Sequence, residues 1–208
     1  AKESKIKIIP NGLDVENYRH AISEIEYQKF ILFIGRLVFY KNLDVVIASF
    51  VDVVEKFPCS KMVVVGDGPM NAKWRKMVSD LGLNKRVIFA GHVSEEKKIE
   101  LLTKCSAVVL PSYVEGFGLV ILESFAMKKP VLVANVRPLS EIVSDGLDGF
   151  SIPPHNPNIW TEKINLLLSN KEICMRMGSE GRKKLEEKYA SDLMLNGMES
   201  LYLSLVNE

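Results

Sequence analysis

The sequence lacks any apolar run long enough to cross a membrane. Its uninterrupted apolar stretches span only a few residues, whereas a transmembrane helix needs about 20. It also lacks the pattern of a secretory signal peptide at its start. We therefore expect a cytoplasmic protein, and we leave open whether a longer form of it contacts the inner face of the membrane.

Metal ligands and disulfide partners are scarce as well. The cysteines are odd in number and far apart, without metal-ligand spacing: Cys59, Cys105 and Cys174. This pattern fits a reducing compartment and argues against both a disulfide framework and a zinc site. The histidines stand alone in the sequence: His20, His92 and His155. We interpret these cysteines and histidines as structural, and we expect no metal.

Charge of one sign is not in strong excess. The 27 Lys and Arg residues against 26 Asp and Glu residues leave a formal net charge of +1. No overall field therefore attracts nucleic acid or an acidic polymer. The local basic group formed by Lys183, Lys184 and Lys188 is typical of a solvated helix face. We expect no nucleic-acid partner.

Several common enzyme motifs are also missing. The segment VVVGDGPM, residues 63–70, has a glycine turn after a strand but not the third glycine and distant acid of a dinucleotide fingerprint. No phosphate loop ending in GKS or GKT occurs, and no GxSxG elbow. Asp145 and Asp148, in SDGLDG, resemble a metal pair, but the glycines around them are typical of a turn. These absences exclude several nucleotide-dependent and hydrolytic classes.

What the sequence does contain is a regular alternation of short apolar runs and helical patterns. Predicted strands cover residues 30–34, 62–65, 87–89, 107–110, 131–133 and 149–152, and a short apolar run at residues 5–9 reads as a strand entering the fold. Helical spacing follows most of the strands, and three helical patterns follow one another from residue 156. Solid apolar strands are buried on both faces. The fold class is therefore α/β, a doubly wound, Rossmann-like parallel sheet with extra C-terminal helices.

The domain boundaries follow from the same pattern. Residues 1–28 are polar and interrupted by Pro10 and Gly12, as in a linker, with Asp14 placed to cap a brief helical turn. Residues 29–190 form the predicted sheet domain. The terminal helix, residues 191–208, carries more apolar side chains than a free end needs. We expect it to pack toward a domain that precedes the linker.

The segment EGFGLVILE joins a predicted strand to a helix, and two carboxylates, Glu115 and Glu123, bracket it. Gly116 and Gly118 let backbone N–H groups at the helix start approach a ligand, and the helix dipole there favours an anion. The turn therefore predicts a phosphate site. Helical spacing places Glu123 on the same stripe as three apolar residues: Leu119, Leu122 and Ala126. A carboxylate on such a stripe needs partners, although a solvated Glu123 and a turn acid at Glu115 remain the alternative.

A second group of charges lies at the end of the first sheet strand. Gly35 and Arg36 follow that strand directly, and Lys41 lies five residues further along the same loop. The carboxyl ends of parallel strands share one edge of the sheet, so both cations can face an anion held at Gly118. Arg acts there as a fork and Lys as a mobile charge, a combination that suits a diphosphate. Solvated loop cations are the alternative.

Taken together, the motifs resemble the C-terminal, donor-binding domain of retaining GT-B glycosyltransferases of family 4. IIPNGLD resembles the family's interdomain linker, FIGRLVFYKN its Gly-Arg and Lys signature, VVGDGP and FAGHVS its next two loops, and EGFGLVILE its E-x7-E motif. Asn42 departs from the glycine that often follows the lysine. The resemblance covers nearly the whole chain.

The resemblance implies a role for each matching residue. It assigns Arg36 and Lys41 to the donor diphosphate, and the backbone of Phe117, Gly118 and Leu119 to phosphate and sugar. Glu115 matches the acid that touches the transferred sugar, and Glu123 the acid that bonds the ribose. Val93 matches a position whose backbone contacts the base. The donor is a nucleotide diphosphate sugar, and neither a cofactor nor a metal is expected.

The resemblance also implies a mechanism and a missing partner. Enzymes of this kind transfer a hexosyl group with retention, by a front-face substitution in which the diphosphate leaves as a carbohydrate or lipid-linked acceptor enters. The acceptor domain precedes the linker in the family, so this chain alone should bind donor but transfer poorly.

Two other interpretations stay open at this point. The first is a non-catalytic nucleotide-sugar binding or scaffold module of the same fold. The second is a pyridoxal-phosphate phosphorylase, which needs a Schiff-base lysine beside the phosphate. Lys128 and Lys129 are the nearest lysines in the sequence, and they read as the solvated end of a helix.

Overall fold

The apolar runs form the strands of one six-stranded parallel sheet. A computed structural model describes residues 6–24 and 26–206. The strands are β1 (Phe30–Ile34), β2 (Lys61–Val65), β3 (Val87–Gly91), β4 (Ala107–Leu110), β5 (Val131–Ala134) and β6 (Gly149–Ile152). They lie in the order β3-β2-β1-β4-β5-β6, and every pairing is parallel. The winding direction reverses between β1 and β4, which is where ligands bind in such sheets.

Helices cover both faces of the sheet. They are α1 (Leu43–Lys56), α2 (Asn71–Asp80), α3 (Glu95–Lys104), α4 (Leu119–Ala126), α5 (Leu139–Ile142), α6 (Pro157–Ser169), α7 (Lys171–Lys188) and α8 (Ser191–Val206). Two 3₁₀ helices, Glu16–Glu24 and Phe39–Lys41, precede β1 and α1. Asp14 accepts a bond from the Glu16 amide (3.0 Å), which fits the predicted cap. The prediction of a doubly wound sheet with extra C-terminal helices is confirmed.

The sheet separates two apolar cores, because successive side chains of each strand point to opposite faces. On one face, Phe33 packs with Phe50 of α1, Trp74 of α2 and Trp160 of α6. On the other, strand residues pack with α3, α4, α5 and the first 3₁₀ helix, and Phe125 is fully buried there. All four residues of β4 and all four of β5 are buried, as their solid apolar runs predicted.

The start of the chain differs from the prediction. Residues 6–12 form neither helix nor strand, and the isolated bridge between Leu13 and Ala190 is the first pairing in the described chain. Ile6 and Ile8 are 62% and 87% exposed, so this apolar run has no sheet to join. The segment predicted to be a linker instead contacts the junction of α7 and α8, where the Leu13 amide bonds the Tyr189 carbonyl (2.8 Å) and the Ser191 amide bonds the Leu13 carbonyl (3.0 Å).

Lys129 also differs from the prediction of a solvated helix end, because its side chain is fully buried. Its ammonium group donates to the Glu26 carbonyl and lies 3.8 Å from the centre of the Tyr27 ring. Burial lowers the pKa of this amine to about 8. Lys129 directly precedes the β5 region and Glu26 precedes β1, so the amine lies at the amino ends of the strands. This is the edge opposite the predicted phosphate site, so Lys129 cannot serve as a Schiff-base lysine there.

Helix α8 ends the described chain and buries none of its residues. Most of its large apolar side chains are between 41% and 83% exposed, whereas Met194 and Leu201 are half-buried. The exposed ones are Leu193, Leu195, Met198, Tyr202, Leu203, Leu205 and Val206. No described helix is both long and apolar enough to cross a membrane.

Candidate functional site

A cavity of about 570 Å³ opens at the carboxyl ends of β1, β2 and β3. Its walls combine backbone from the strand ends with a few polar side chains, and they comprise Ile34, Gly35, Arg36, Val65, Gly66, Asp67, Gly68, His92, Val93 and Lys98. Predicted site residues Gly35, Arg36 and Val93 are therefore found together. A concave site at this edge of a doubly wound sheet is where the fold binds ligands.

Glycines in the β2 loop allow this loop to lie directly on the β1 loop. A Cβ atom on Gly66 would lie 2.0 Å from the Gly35 carbonyl oxygen, and one on Gly68 would lie 2.5 Å from the Leu37 carbonyl oxygen. Both glycines have positive φ, 115° and 158°. The amide of Leu37 bonds the Asp67 carbonyl (2.9 Å) across the same contact. The GDG segment therefore serves to join two loops that line the cavity, not to bind a dinucleotide.

Lys41 and Glu115 meet at the reversal point of the sheet. The Lys41 ammonium lies 2.6 Å from Glu115 Oε2, and each side chain is only 15% exposed. Lys41 follows β1 and Glu115 follows β4, so an ion pair joins two loops that are 74 residues apart. Arg36 is exposed on the cavity wall, and no carboxylate of the described residues pairs with it. Two cations and one acid thus lie at adjacent strand ends.

The predicted phosphate turn has the backbone that an anion site requires. Gly118 adopts a left-handed conformation (φ 88°) and precedes α4 without a side-chain cap. The first amides of a helix lack partners one turn back. The Ile121 amide donates to the Gly118 carbonyl (2.8 Å), which leaves the Leu119 and Val120 amides to face a ligand. Gly116 has open space around it. The Phe117 ring packs against Tyr189, with their ring centres 6.0 Å apart.

One detail of the predicted apolar stripe on α4 is wrong. Leu122 and Ala126 are fully buried, but Leu119 is 47% exposed. Leu119 is the first residue of the helix, where the chain still lies at the edge of the sheet. The contact predicted for Leu119 involves its backbone rather than this side chain, and it stays a prediction.

Glu123 has partners that the sequence did not predict. Lys98 of α3 donates to Glu123 Oε1 at 2.6 Å, and the Tyr18 hydroxyl lies 3.4 Å from the same oxygen. Burial and then the negative charge of Glu123 raise the pKa of Tyr18. Burial opposes the charge of Lys98, but hydrogen bonds to Glu123 and Glu95 outweigh it and raise the pKa of its ammonium group. The Glu123 side chain is 14% exposed, so the prediction that this acid needs partners is met within the chain.

Asp67, His92 and Lys98 are polar side chains of the cavity to which sequence reasoning gave no role. Lys98 lines the cavity and pairs with Glu123, which connects the cavity to α4. His92, which we interpreted as structural, is exposed on the cavity wall. Its place directly after β3 was the available signal, since the third strand end also reaches the ligand edge. For Lys98 the signal was its position one helical turn into α3, after a Ser94 cap.

The aspartates of SDGLDG form local structure, as expected for a turn. Asp148 is fully buried, accepts a bond from the Ser144 amide (2.9 Å) and pairs with Lys184. Asp145 accepts a bond from the Ser151 amide (2.9 Å). Lys184 therefore does not belong to a solvated basic face, since its side chain is 13% exposed. Among the described residues, no three His, Cys, Asp or Glu side chains gather as they would around a metal ion.

Comparison with known proteins agrees with this geometry. The family model described as glycosyl transferases group 1 matches residues 14–184. An uncharacterized glycosyltransferase of Methanocaldococcus jannaschii is 32% identical over 96% of this chain and 58% of its own length. The O-antigen chain mannosyltransferase C of Escherichia coli is 29% identical over 98% of this chain and 56% of its own length. The chain thus spans little more than half the length of these curated relatives.

A solved structure supports the same assignment. TarM of Staphylococcus aureus, crystallised with UDP, Fondaparinux and alpha-GlcNAc-glycerol, superimposes with a TM-score of 0.79 at 28% identity, over 95% of this chain and 38% of that one. The family match covers far more than half of the chain, and the sheet order and strand-end site agree with it. The chain belongs to the glycosyl transferases group 1 family, as a C-terminal domain of the GT-B type.

Proposed function

We propose that this chain is the donor-binding part of a glycosyltransferase that transfers a sugar from a nucleotide diphosphate sugar to an acceptor. The observation that carries the proposal is the Lys41–Glu115 pair between the cavity and the start of α4. It brings a cation for the diphosphate and an acid for sugar hydroxyls to one point. A nucleotide-sized cavity lies on one side of that point and a helix N-terminus on the other.

The nucleoside, the diphosphate and the sugar of the donor each match one part of the site, in the order in which they are joined. The nucleoside lies in the cavity, with its base against the backbone at Val93 and its ribose hydroxyls toward Glu123 and Lys98. The diphosphate lies between Arg36, Lys41 and the amides that follow Gly118. Phosphate oxygens on cations and helix amides form charge-assisted hydrogen bonds, the strong class of such bonds. Glu115 then faces the transferred sugar.

The chemistry that this arrangement serves is departure of the diphosphate. As the bond between the sugar carbon and the phosphate oxygen breaks, negative charge grows on the leaving group. Arg36, Lys41 and the α4 dipole stabilise that charge where it develops, without a metal. The acceptor oxygen forms its bond on the same face of the sugar, which gives retention. In this arrangement Glu115 binds sugar hydroxyls and forms no covalent bond.

Uridine is the nucleoside that we propose. TarM, with which this chain shares 28% identity, was crystallised with UDP. The residues that would contact the base, around His92 and Val93, belong to a short loop after β3. Backbone in such a loop can pair with the polar edge of a pyrimidine.

The acceptor half of the enzyme is a separate part of the proposal. The chain spans between 52% and 58% of the length of three curated relatives, so a preceding domain of similar size would complete it. We propose that residues 6–12 are the link to that domain, and that the exposed apolar side chains of α8 pack on it. The chain by itself then binds donor without transferring sugar efficiently.

Calorimetry tests the proposal directly. The chain is titrated with UDP, UDP-glucose, UDP-N-acetylglucosamine, GDP-mannose and ADP. We expect UDP and at least one UDP-sugar to bind more tightly than ADP and GDP-mannose. If none of the five ligands binds, the donor site is wrongly assigned, and tighter binding of a purine nucleotide would refute the choice of uridine.

A further inference from the structure

Three aromatic side chains form an exposed cluster that the donor site does not use. Phe39 and Tyr113 lie with their ring centres 6.2 Å apart, and Tyr113 and His155 lie 6.2 Å apart. We call these three residues the aromatic cluster. Phe39 is 64% exposed and His155 is also exposed, while Tyr113 is half-buried between them. A single exposed apolar residue is ordinary, but aromatic rings grouped on one exposed surface indicate a contact with another molecule.

The cluster is held in place by the loops that carry it. Phe39 follows β1, Tyr113 follows β4 and His155 follows β6. The Asn42 side chain donates to the Pro111 carbonyl (3.2 Å) and to the Pro154 carbonyl (2.8 Å), so one buried amide links all three loops. The Tyr113 amide also bonds the Tyr40 carbonyl (3.0 Å). Rigid support of this kind is what a preorganised binding surface requires.

The position of the cluster relative to the donor site is set by the strand order. The cavity occupies the ends of β3, β2 and β1, and the Lys41–Glu115 pair spans β1 and β4. The cluster spans β1, β4 and the far edge at β6, and none of its residues lines the cavity. It therefore lies beyond the ion pair, on the side away from the nucleoside.

The distance from the ion pair to the cluster is short. Phe39 precedes Lys41 by two residues and Tyr113 precedes Glu115 by two. Two residues of chain separate Cα atoms by at most about 7 Å, so the backbone that carries Phe39 and Tyr113 lies close to the ion pair. A ligand on the cluster would thus lie next to a sugar held at Glu115.

The chemistry of the cluster suits a pyranose ring. Such a ring carries C–H groups on its faces, which pack on the negative face of an aromatic ring, and hydroxyl groups around its rim. Phe39 supplies an apolar face, and the Tyr113 hydroxyl and the His155 nitrogens supply donors and acceptors at its edge. An acyl chain has no groups that could form hydrogen bonds with these polar atoms.

We propose that the aromatic cluster binds a pyranose ring of the acceptor, directly beside the transferred sugar. This proposal rests on the proposed donor function, because the position next to Glu115 identifies the ligand as the acceptor. In a transfer reaction the attacking hydroxyl must approach the sugar carbon closely, and a ring stacked on Phe39 would be held within reach of it.

Saturation-transfer NMR tests the proposal on this chain. The ligands are the methyl α-pyranosides of glucose, mannose and N-acetylglucosamine, each measured with UDP present. We expect transfer to the ring C–H protons of at least one glycoside in the wild type. Phe39→Ala should weaken that signal at least fivefold, and Phe39→Tyr should retain it. Met175→Ala is the matched control, because Met175 is an apolar side chain on α7 with 49% exposure.

The outcomes separate this proposal from the donor function. If UDP binds but no glycoside gives a signal, the acceptor site is refuted and the donor function stands. A signal that Phe39→Ala leaves unchanged refutes the site as well. If a glycoside binds through Phe39 but none of the five nucleotide ligands binds, the donor function falls. The cluster then remains a sugar site, but its assignment to the acceptor is refuted. If no glycoside gives a signal, and the wild type co-sediments with phosphatidylglycerol vesicles but Phe39→Ala does not, the cluster is a membrane contact. That result would overturn the sugar assignment.

Discussion

At the scale of single residues, the two cations after β1 have different surroundings and should respond differently to substitution. Arg36 is exposed and unpaired among the described residues, whereas Lys41 is paired with Glu115 in a largely buried position. A hydrogen bond to a charged group contributes about 1.5 to 3 kcal/mol. We therefore expect Arg36→Ala and Lys41→Ala each to weaken UDP binding by roughly 10-fold to 100-fold in calorimetry.

Stability distinguishes the two variants. Arg36→Ala should change the free energy of unfolding by no more than about 0.5 kcal/mol, as for other surface substitutions. Lys41→Ala leaves Glu115 without its partner and should cost clearly more. Lys76→Ala, at a lysine whose side chain is 75% exposed on α2, is the control and should leave both UDP binding and stability unchanged. Equal UDP affinity in Arg36→Ala and the wild type would contradict the assigned role.

Asn42 joins three loops through its side chain, although its backbone conformation favours glycine. Its φ is 52°, and its amide donates to two carbonyl oxygens in a buried position. Asn42→Gly relaxes the backbone but loses both bonds, and we expect a loss of about 1 to 2 kcal/mol in urea unfolding. Asn42→Asp places a carboxylate against two carbonyl oxygens and should cost about 3 kcal/mol or more at neutral pH. If Asp is tolerated as well as Gly, the side-chain bridge is unimportant.

Lys129 makes the stability of the fold depend on pH in a defined window. Burial holds the pKa of its amine at about 8, against about 10.4 in an unfolded chain. Between these values the unfolded state binds more protons, so this group destabilises the fold fully below pH 8 and progressively less up to about pH 10.4.

The variant Lys129→Met removes this contribution. The free energy of unfolding of Lys129→Met minus that of the wild type should be larger at pH 7 than at pH 10, by up to about 3 kcal/mol. The comparison must be made between variants, because burial also raises the pKa values of Cys105 and Cys174, to about 12 and 11, and these thiols lower stability at high pH in both proteins. If the free energy of unfolding changes with pH in the same way in both proteins, Lys129 makes no pH-dependent contribution to stability.

The residue scale is also where the sequence is least informative. Spacing placed Glu123 on a buried stripe and so predicted that it needs partners, but nothing local pointed to Tyr18, which is 105 residues away. The Lys41–Glu115 bond joins residues 74 apart. Such pairs depend on the paths that the loops take over the strand ends. Neither hydrophobic periodicity nor secondary-structure propensity predicts those paths.

At the scale of elements, the sequence predicted far more. Each sheet strand began and ended within two residues of its predicted bounds, because a solid apolar run between polar turns has few other ways to bury itself. The predicted run at residues 5–9 differs from these strands, because Lys7 interrupts its isoleucines, and its described residues, 6–9, form no strand. A lysine-interrupted run is therefore a weaker signal for a strand of this sheet than a solid apolar one.

The start of α4 offers a test of what the two glycines of EGFG do. Gly118 has a φ of 88°, and a Cβ atom there would lie 2.9 Å from Leu139 Cδ2, whereas Gly116 has no atom within 4 Å. Gly118→Ala should therefore destabilise the fold by about 1 to 3 kcal/mol and shift the helix start.

Gly118→Ala should reduce the affinity for UDP more than Gly116→Ala does, as it should reduce stability more. Gly118→Ala displaces the amides that receive the phosphate and should weaken binding at least 10-fold. Gly116→Ala, with free space around it, should retain both the melting temperature and most of the affinity. If calorimetry finds the two variants equivalent, the helix N-terminus is not the phosphate site.

At the scale of the whole molecule, α8 is the helix whose apolar surface the rest of the described chain leaves largely uncovered. Leu195, Met198 and Tyr202 repeat at three- and four-residue spacing, so they form one stripe, and each is at least 41% exposed. The sequence predicted this excess of apolar residues but not which face of the chain it would cover. An exposed stripe of this length marks an interaction surface, and the domain that precedes the linker is the partner we propose.

The double variant Leu195→Glu with Tyr202→Glu separates this role from a role in folding. Neither side chain is buried, so each surface change should alter stability by no more than about 0.5 kcal/mol. The melting temperature of the 208-residue chain should therefore change by no more than about 4 °C. In a protein that joins this chain to the proposed preceding domain, the same pair should lower the melting temperature and the transferase activity together, because two charges would enter a contact between domains. UDP binding, measured on the short chain, should stay unchanged. A double variant that leaves the longer protein fully stable and active would show that α8 contacts no preceding domain.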